Sequence, residues 1–171
     1  MTSSVNALPD AEALFQQLSS DIKRFISEHN IQRPLLVGIR TGGDWIAQRL
    51  QEELDLPERG ILDISFYRDD FDERGLPANA KGSSFPDSIE DRNIILVDDV
   101  LMSGRTIRAA MNEIFDYGRP NSINLAVLLD IGRRQLPIQA DIIGAKIELK
   151  EGKKAKLSGP TPFSLSLENQ S

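Results

Sequence analysis

Residues 94–106, IILVDDVLMSGRT, constrain the fold of this chain more than any other stretch. Ile94, Ile95, Leu96 and Val97 form a short apolar run rich in β-branched residues, the pattern of a strand buried on both faces. Asp98 and Asp99 follow, then a loop of Val100, Leu101, Met102, Ser103 and Gly104. An amphipathic stretch from Arg105 to Tyr117 predicts a helix. The acidic pair is therefore expected at the carboxyl end of a strand, with the loop opening onto a helix N-terminus. In open α/β sheets that is where ligands bind. Backbone N–H groups and the helix dipole favour a phosphate there. The hydroxyls of Ser103 and Thr106 add donors, while Asp98 and Asp99 are acceptors suited to sugar hydroxyls or Mg2+.

Composition narrows the classes. The chain has 171 residues, enough for one domain with a sizeable core. It contains no cysteine, which excludes disulfides, thiolate catalysis and Cys-ligated metal, and its single histidine, His29, excludes multi-histidine zinc chemistry. No apolar run reaches the roughly 18–20 residues that span a bilayer, and the N-terminus carries no visible secretory signal, so a cytoplasmic chain is expected. A net charge of −6 argues against general nucleic-acid affinity. Residues 131–157 run the other way, with seven basic residues against three acidic, so a local basic face stays open beside a solvated lysine-rich hairpin.

Along the chain, Leu14, Phe15, Leu18, Ile22, Phe25 and Ile26 mark one face of a helix over residues 10–29, with Asp10 as its N-cap. Residues 35–39 read as a buried strand. Arg40, Thr41, Gly42 and Gly43 form a loop, and Asp44 is placed as the cap of a helix to about Leu54. Further strands are expected at 61–66, 122–129 and 141–143. Residues 67–91 are polar and rich in Gly, Pro, Asp and Ser, a long irregular stretch of the kind that often serves function. A terminal hairpin is expected to turn at Glu151-Gly152, with the last residues, SLENQS, frayed. Alternating strands and helices imply a parallel sheet in one domain over residues 1–171.

The segment IILVDDVLMSGRT resembles the binding motif for 5-phosphoribosyl-1-pyrophosphate (PRPP) in type I phosphoribosyltransferases. Four further stretches sharpen the likeness: LVGIRTGGDWIAQRL resembles a pyrophosphate loop and its helix, and ISFYRDD the start of a flexible lid. GRTIRAAMNEIFDYGRPNSINLAVLLD continues the PRPP loop, and IGRRQLPIQADIIG resembles a base-binding hood. In this order they are similar to the bifunctional pyrimidine-operon attenuator and uracil phosphoribosyltransferase family. The resemblance implies a central parallel sheet flanked by helices, with a flexible lid over 67–91 and a hood and C-terminal hairpin over 131–167.

It also implies roles. Asp98 and Asp99 would hold the ribose and, mainly through PRPP, Mg2+. Residues Val100, Leu101, Met102, Ser103, Gly104, Arg105 and Thr106 would surround the 5′-phosphate, and Arg40, Thr41, Gly42 and Gly43 the pyrophosphate. Arg68 would reach pyrophosphate from the lid, or else pair with Asp69 and Asp70. Asp130, Ile142 and Ile143 would contact the base, the isoleucines being equally suited to core packing. Arg133 and Arg134, with Lys23, Arg24 and Lys146 as neighbours, would form a basic face for pyrimidine-operon messenger RNA on a homodimer or higher homo-oligomer.

The expected reaction is uracil plus PRPP giving UMP and pyrophosphate. Met102 stands where purine enzymes of this fold carry an aspartate, and Asp130 where they carry a lysine, which favours a pyrimidine. The chain departs from the attenuator pattern at Met102, where tyrosine is expected, at Gly42 and Gln139, where arginine is expected, and at Arg133, where histidine is expected. Two alternatives stay open: an RNA-binding nucleotide sensor with little turnover, and a phosphoribosyltransferase for a 6-oxopurine.

Overall fold

The computed structural model describes residues 7–64 and 82–170. A helix, α1 (Ala11–Glu28), leads into β1 (Pro34–Ile39), α2 (Gly42–Glu53) and β2 (Arg59–Leu62). Then follow β3 (Asn93–Leu101), α3 (Arg105–Tyr117), β4 (Ser122–Asp130) and β5 (Ile142–Lys146), and a hairpin of β6 (Lys153–Ser158) and β7 (Ser164–Asn169). The five central strands form one parallel sheet, as the alternating pattern implies, and their order is β2-β1-β3-β4-β5. Among the described residues no helix is long and apolar enough to cross a membrane.

Side-chain alternation along the strands divides the core. Leu35, Val37, Ile94 and Leu96 face α3 together with Ile107, Ala110 and Ile114, whereas Leu36, Ile95 and Val97 face α1 and α2 through Leu18, Ile22, Ile46 and Leu50. Burying both faces explains why these strands are almost continuously apolar. The α1 start follows the sequence: the Asp10 carboxylate accepts from the Ala13 N–H at 2.9 Å and relieves an orphan helix donor.

Several boundaries differ from the sequence reading. Helix α2 begins at Gly42, and Asp44 does not cap it but accepts from Arg59 Nε at 3.0 Å, joining α2 to β2. Strand β3 runs four residues past Val97, so Asp98 and Asp99 belong to the strand itself. Pairing with β4 as far as Leu101 opposite Asp130 extends it. The hairpin turns between Ser158 and Ser164, through Gly159, Pro160, Thr161 and Pro162, rather than at Glu151-Gly152. Those two prolines have no N–H to give a ladder, so the reversal falls there. Of the C-terminal residues expected to fray, 166–169 belong to β7, whose Asn169 pairs with Lys153. Of the segment expected to be an irregular lid, 67–81 lies outside the described residues. Within 82–91, Ser84 pairs with Ile61 through two 2.8 Å backbone bonds, and Ile89 is buried.

One polar cluster ties α1, α2 and the hairpin. Arg49 makes a two-pronged ion pair with Glu12 at 2.8 and 2.9 Å, and its guanidinium lies over the rings of Phe15 and Phe163. Glu12 Oε1 also accepts from the Phe163 N–H at 2.7 Å. Arg49, followed by the Phe163 N–H, holds the Glu12 carboxyl below its usual range. The lowered folded-state value means that this stabilisation is complete above the ordinary carboxyl range and is lost as pH falls through the folded value. Glu12→Gln should therefore lower Tm at pH 7, by an amount corresponding to about 1 kcal/mol for a part-exposed charged pair. Thermal melts across pH should show the two proteins converging in acid.

Candidate functional site

The carboxyl ends of β1, β3 and β4 converge because the strands are parallel and in register there. Ile39 lies opposite Leu62, Gly38 opposite Val97, and Leu101 opposite Asp130. Asp98 is buried, 6% exposed, while Asp99 beside it is half-buried. Each carboxylate is steadied by the backbone: Asp98 Oδ1 accepts from the Asp99 N–H at 2.9 Å, and Asp99 Oδ1 from the Val100 N–H at 2.8 Å. Burial, followed by the charge of Asp99, pushes the Asp98 carboxyl well above its ordinary range.

The loop 40–43 presses against this pair. A Cβ added at Gly42 would run into the Asp99 carboxylate, and one at Gly43 into the Val97 carbonyl oxygen and the Asp98 backbone. Only glycine permits that approach. Arg40 donates its N–H to the Leu62 carbonyl at 2.8 Å, and its side chain lies 4.0 Å from Asp63. Arg40 and Thr41 are exposed.

After β3 the loop turns at Gly104, whose φ of 93° favours glycine. With glycine at the N-cap, no cap side chain covers the first turn of α3. Ser103 Oγ accepts from the Arg105 N–H at 3.1 Å. The segment after β4 straps the loop from behind. The Leu101 carbonyl accepts from Ile131 N, and the Ser103 carbonyl from the N–H groups of Gln135 and Leu136. A cavity of about 350 Å³ opens against this loop, lined by Asp98, Val100, Met102, Ser103, Gly104 and Thr106 among others. The sequence-selected acids and loop residues are thus brought together, at a helix N-terminus able to receive an anion.

Other selected residues lie elsewhere. Ile142 and Ile143 begin β5, with Ile142 opposite Ala126. The carboxyl end of β5 is Lys146, opposite Asp130, roughly 13 Å away at about 3.3 Å per residue. The isoleucines line a cleft with Asp21, Arg24 and Phe25 at the amino end of β5. Periodicity found that strand but not which end of it met the loop. Residues the sequence reading passed over, Ile147, Glu148 and Leu149, line a cavity of about 400 Å³ with Asp130, Arg133 and Lys146. The feature pointing to them was their place just after the strand.

Asp130 is buried, and its carboxylate is engaged on both oxygens, by Arg134 Nη2 at 2.6 Å and the Gly132 N–H at 2.9 Å. A buried acid needs such partners, so Asp130 serves the hood rather than standing free to read a base. Arg134 also donates to the carbonyls of Met102 and Ile138 at 2.8 and 2.6 Å. Arg133 donates to the carbonyls of Lys153, Leu149 and Lys150. Both arginines are turned inward. Lys23 and Arg24 are exposed on α1, Arg24 pairs with Asp21 at 2.7 Å, and Arg24 lines the cleft at the amino end of β5. These four residues do not form one basic face. Arg68 lies outside the described residues.

The raised Asp98 carboxyl has a stability consequence. The folded chain binds that proton more tightly than the unfolded chain does, so stability falls as pH rises from about 4, the ordinary range, through the raised value. Asp98→Asn should melt higher than the parent at pH 8, and the gap should narrow toward pH 4. Thermal melts across that range check the sign.

Residues 3–156 match the phosphoribosyl transferase domain model. The chain is 47% identical over 166 residues to the bifunctional protein PyrR of Pseudomonas syringae pv. tomato, covering 96% of this chain and 98% of the relative. It is 50% identical over 160 residues to the bifunctional protein PyrR of Pseudomonas entomophila, covering 93% of each. Among solved structures, a hypoxanthine phosphoribosyltransferase from Staphylococcus aureus aligns with TM-score 0.65 at 21% identity, over 88% of this chain and 81% of that one. A hypoxanthine-guanine phosphoribosyltransferase from Bacillus anthracis aligns with TM-score 0.63 at 18% identity, over 85% of each. At those identities the structural likeness speaks to the fold alone. The matched domain, on the geometry above, and the PyrR relatives over nearly the whole chain establish that this protein belongs to the phosphoribosyltransferase family, among the bifunctional PyrR proteins.

Proposed function

We propose that the chain is a uracil phosphoribosyltransferase, converting uracil and PRPP into UMP and pyrophosphate. The observation that carries the reading is that Asp98 and the uncapped start of α3 line one cavity, while loop 40–43 packs closely against Asp99 and the Asp98 backbone beside it. In this reading Asp98 and Asp99 take the ribose hydroxyls. The N–H groups of residues 103–106 and the Ser103 and Thr106 hydroxyls take the 5′-phosphate, and loop 40–43 takes the pyrophosphate. Uracil is favoured over a purine by Met102, which has no proton to exchange with a purine ring.

The bond from the ribose anomeric carbon to pyrophosphate breaks, N1 of uracil bonds to that carbon, and the N1 proton leaves. Charge builds on the departing pyrophosphate and, with opposite sign, on the sugar, so the protein acts mainly by positioning and electrostatics. Asp99 faces the loop and stabilises the cationic ring. Among the described residues no group of three or more acids or histidines is placed to hold a metal. Two carboxylates beside an anion cavity fit Mg2+ delivered by PRPP, which would neutralise the leaving group.

Regulation by UMP-dependent binding of pyrimidine-operon RNA belongs to the same proposal but has less support in this chain. Arg133 and Arg134 are bound internally, so any RNA contact falls to exposed lysines such as Lys146 and Lys150. A homodimer or higher homo-oligomer in the cytoplasm completes the reading. The alternatives are the sensor with little turnover and the 6-oxopurine enzyme.

Asp99→Asn keeps the shape and removes the charge opposing the sugar cation. It should reduce kcat by at least about 100-fold, by analogy with removal of a preorganised electrostatic group, with folding by circular dichroism intact. Unchanged turnover would remove Asp99 from the mechanism.

A further inference from the structure

The lining of the same cavity includes two neutral amides, Gln135 from the strap after β4 and Gln170 just beyond β7. Gln170 lies outside residues 3–156, the part of the chain that matches the family domain. Its N–H donates to the Gly152 carbonyl at 2.7 Å, which fastens it to the turn before β6. The Gln135 backbone is fastened to the loop itself, through its N–H to the Ser103 carbonyl at 2.9 Å.

An arginine sets the orientation of each amide. Arg105 Nε donates to Gln135 Oε1 at 2.7 Å, and Arg133 Nη1 donates to Gln170 Oε1 at 3.3 Å. A guanidinium can only donate, so the amide must offer its oxygen there and is left with its NH2. Arg133 is itself immobilised by the carbonyls of Leu149, Lys150 and Lys153. Two amides whose NH2 groups are not used by these arginines, and one fixed cation, therefore line the cavity beside the loop.

We propose that Gln135 and Gln170 are phosphate-binding residues, their NH2 groups taking oxygens of the terminal phosphomonoester of a ribose 5-phosphate unit. The inference rests on the reading of residues 100–106 as the phosphate loop. It makes the C-terminal hairpin part of the site. Arg105 and Arg133 are positioning residues, holding the amides by their oxygens.

The test is calorimetric binding of ribose 5-phosphate, with ribose as control, to the full chain and to Gln135→Leu, Gln170→Leu, Gln135→Glu and Gln170→Glu. Both glutamines are exposed, so melts should show every variant folded. Each leucine variant should bind ribose 5-phosphate about 3- to 10-fold more weakly, the loss of one donor to a charged acceptor, and each glutamate variant more weakly still. Leucine variants that bind within twofold of the parent overturn the proposal even if the glutamates weaken binding, because a glutamate reports proximity alone. Uracil turnover is read separately. Binding that responds to the leucine variants in a chain inert toward uracil supports these residues and removes only the uracil assignment. A parent chain that binds neither ribose 5-phosphate nor PRPP overturns both.

Discussion

The site depends on the close approach of loop 40–43 to the carboxyl end of β3. Gly42 lies where any side chain would meet the Asp99 carboxylate, and Gly43 where one would meet the Val97 carbonyl. Without those glycines α2 would be lifted away from the strand, and the two loops would face separate patches of solvent. With them, the turn packs against the acid pair, and Asp98 shares one cavity with the uncapped helix N-terminus. The parallel register of β1, β3 and β4 sets their heights, and burial of both sheet faces holds that register, because a one-residue slip would turn the apolar set outward.

The electrostatics are those of a site shaped for a ligand. Asp98 is buried beside a second acid, and its carboxyl is pushed up for that reason. Such a placement works against folding near neutral pH, and perturbed carboxyls of this kind cluster at functional sites. The strap after β4 works in the opposite sense. Asp130, Arg134 and Arg133 are also poorly exposed, but each has partners, and together they lock the loop's carbonyls and the hairpin in place. The two arginines that looked most like nucleic-acid contacts are thus part of the scaffold behind the loop after β3.

How much of this was legible in the sequence follows from the range of each signal. The faces of α1 and α3, the Asp10 cap and the succession of strand, loop and helix are local, and the structure holds them as read. The extension of β3 through its acids depended on pairing with β4, which no local pattern records. Ile142 and Ile143 were found as strand residues, but sheet register decides which end of β5 borders the loop, and it chose Lys146. Arg133 and Arg134 carry charge in the sequence without carrying direction. Only the carbonyls they meet in three dimensions turn them inward. The hairpin reversal at residues 159–162 was missed because Glu151-Gly152 was the turn signal read, and that pair forms the turn that precedes β6.

The most direct measurement is pyrophosphate release from PRPP and Mg2+ with each base in turn: uracil, orotate, hypoxanthine, guanine and adenine. The account predicts release with uracil and none with the purines. Turnover on hypoxanthine or guanine would contradict the pyrimidine assignment drawn from Met102. Silence on every base, in a folded chain that still binds UMP, would contradict the enzyme and leave the nucleotide sensor.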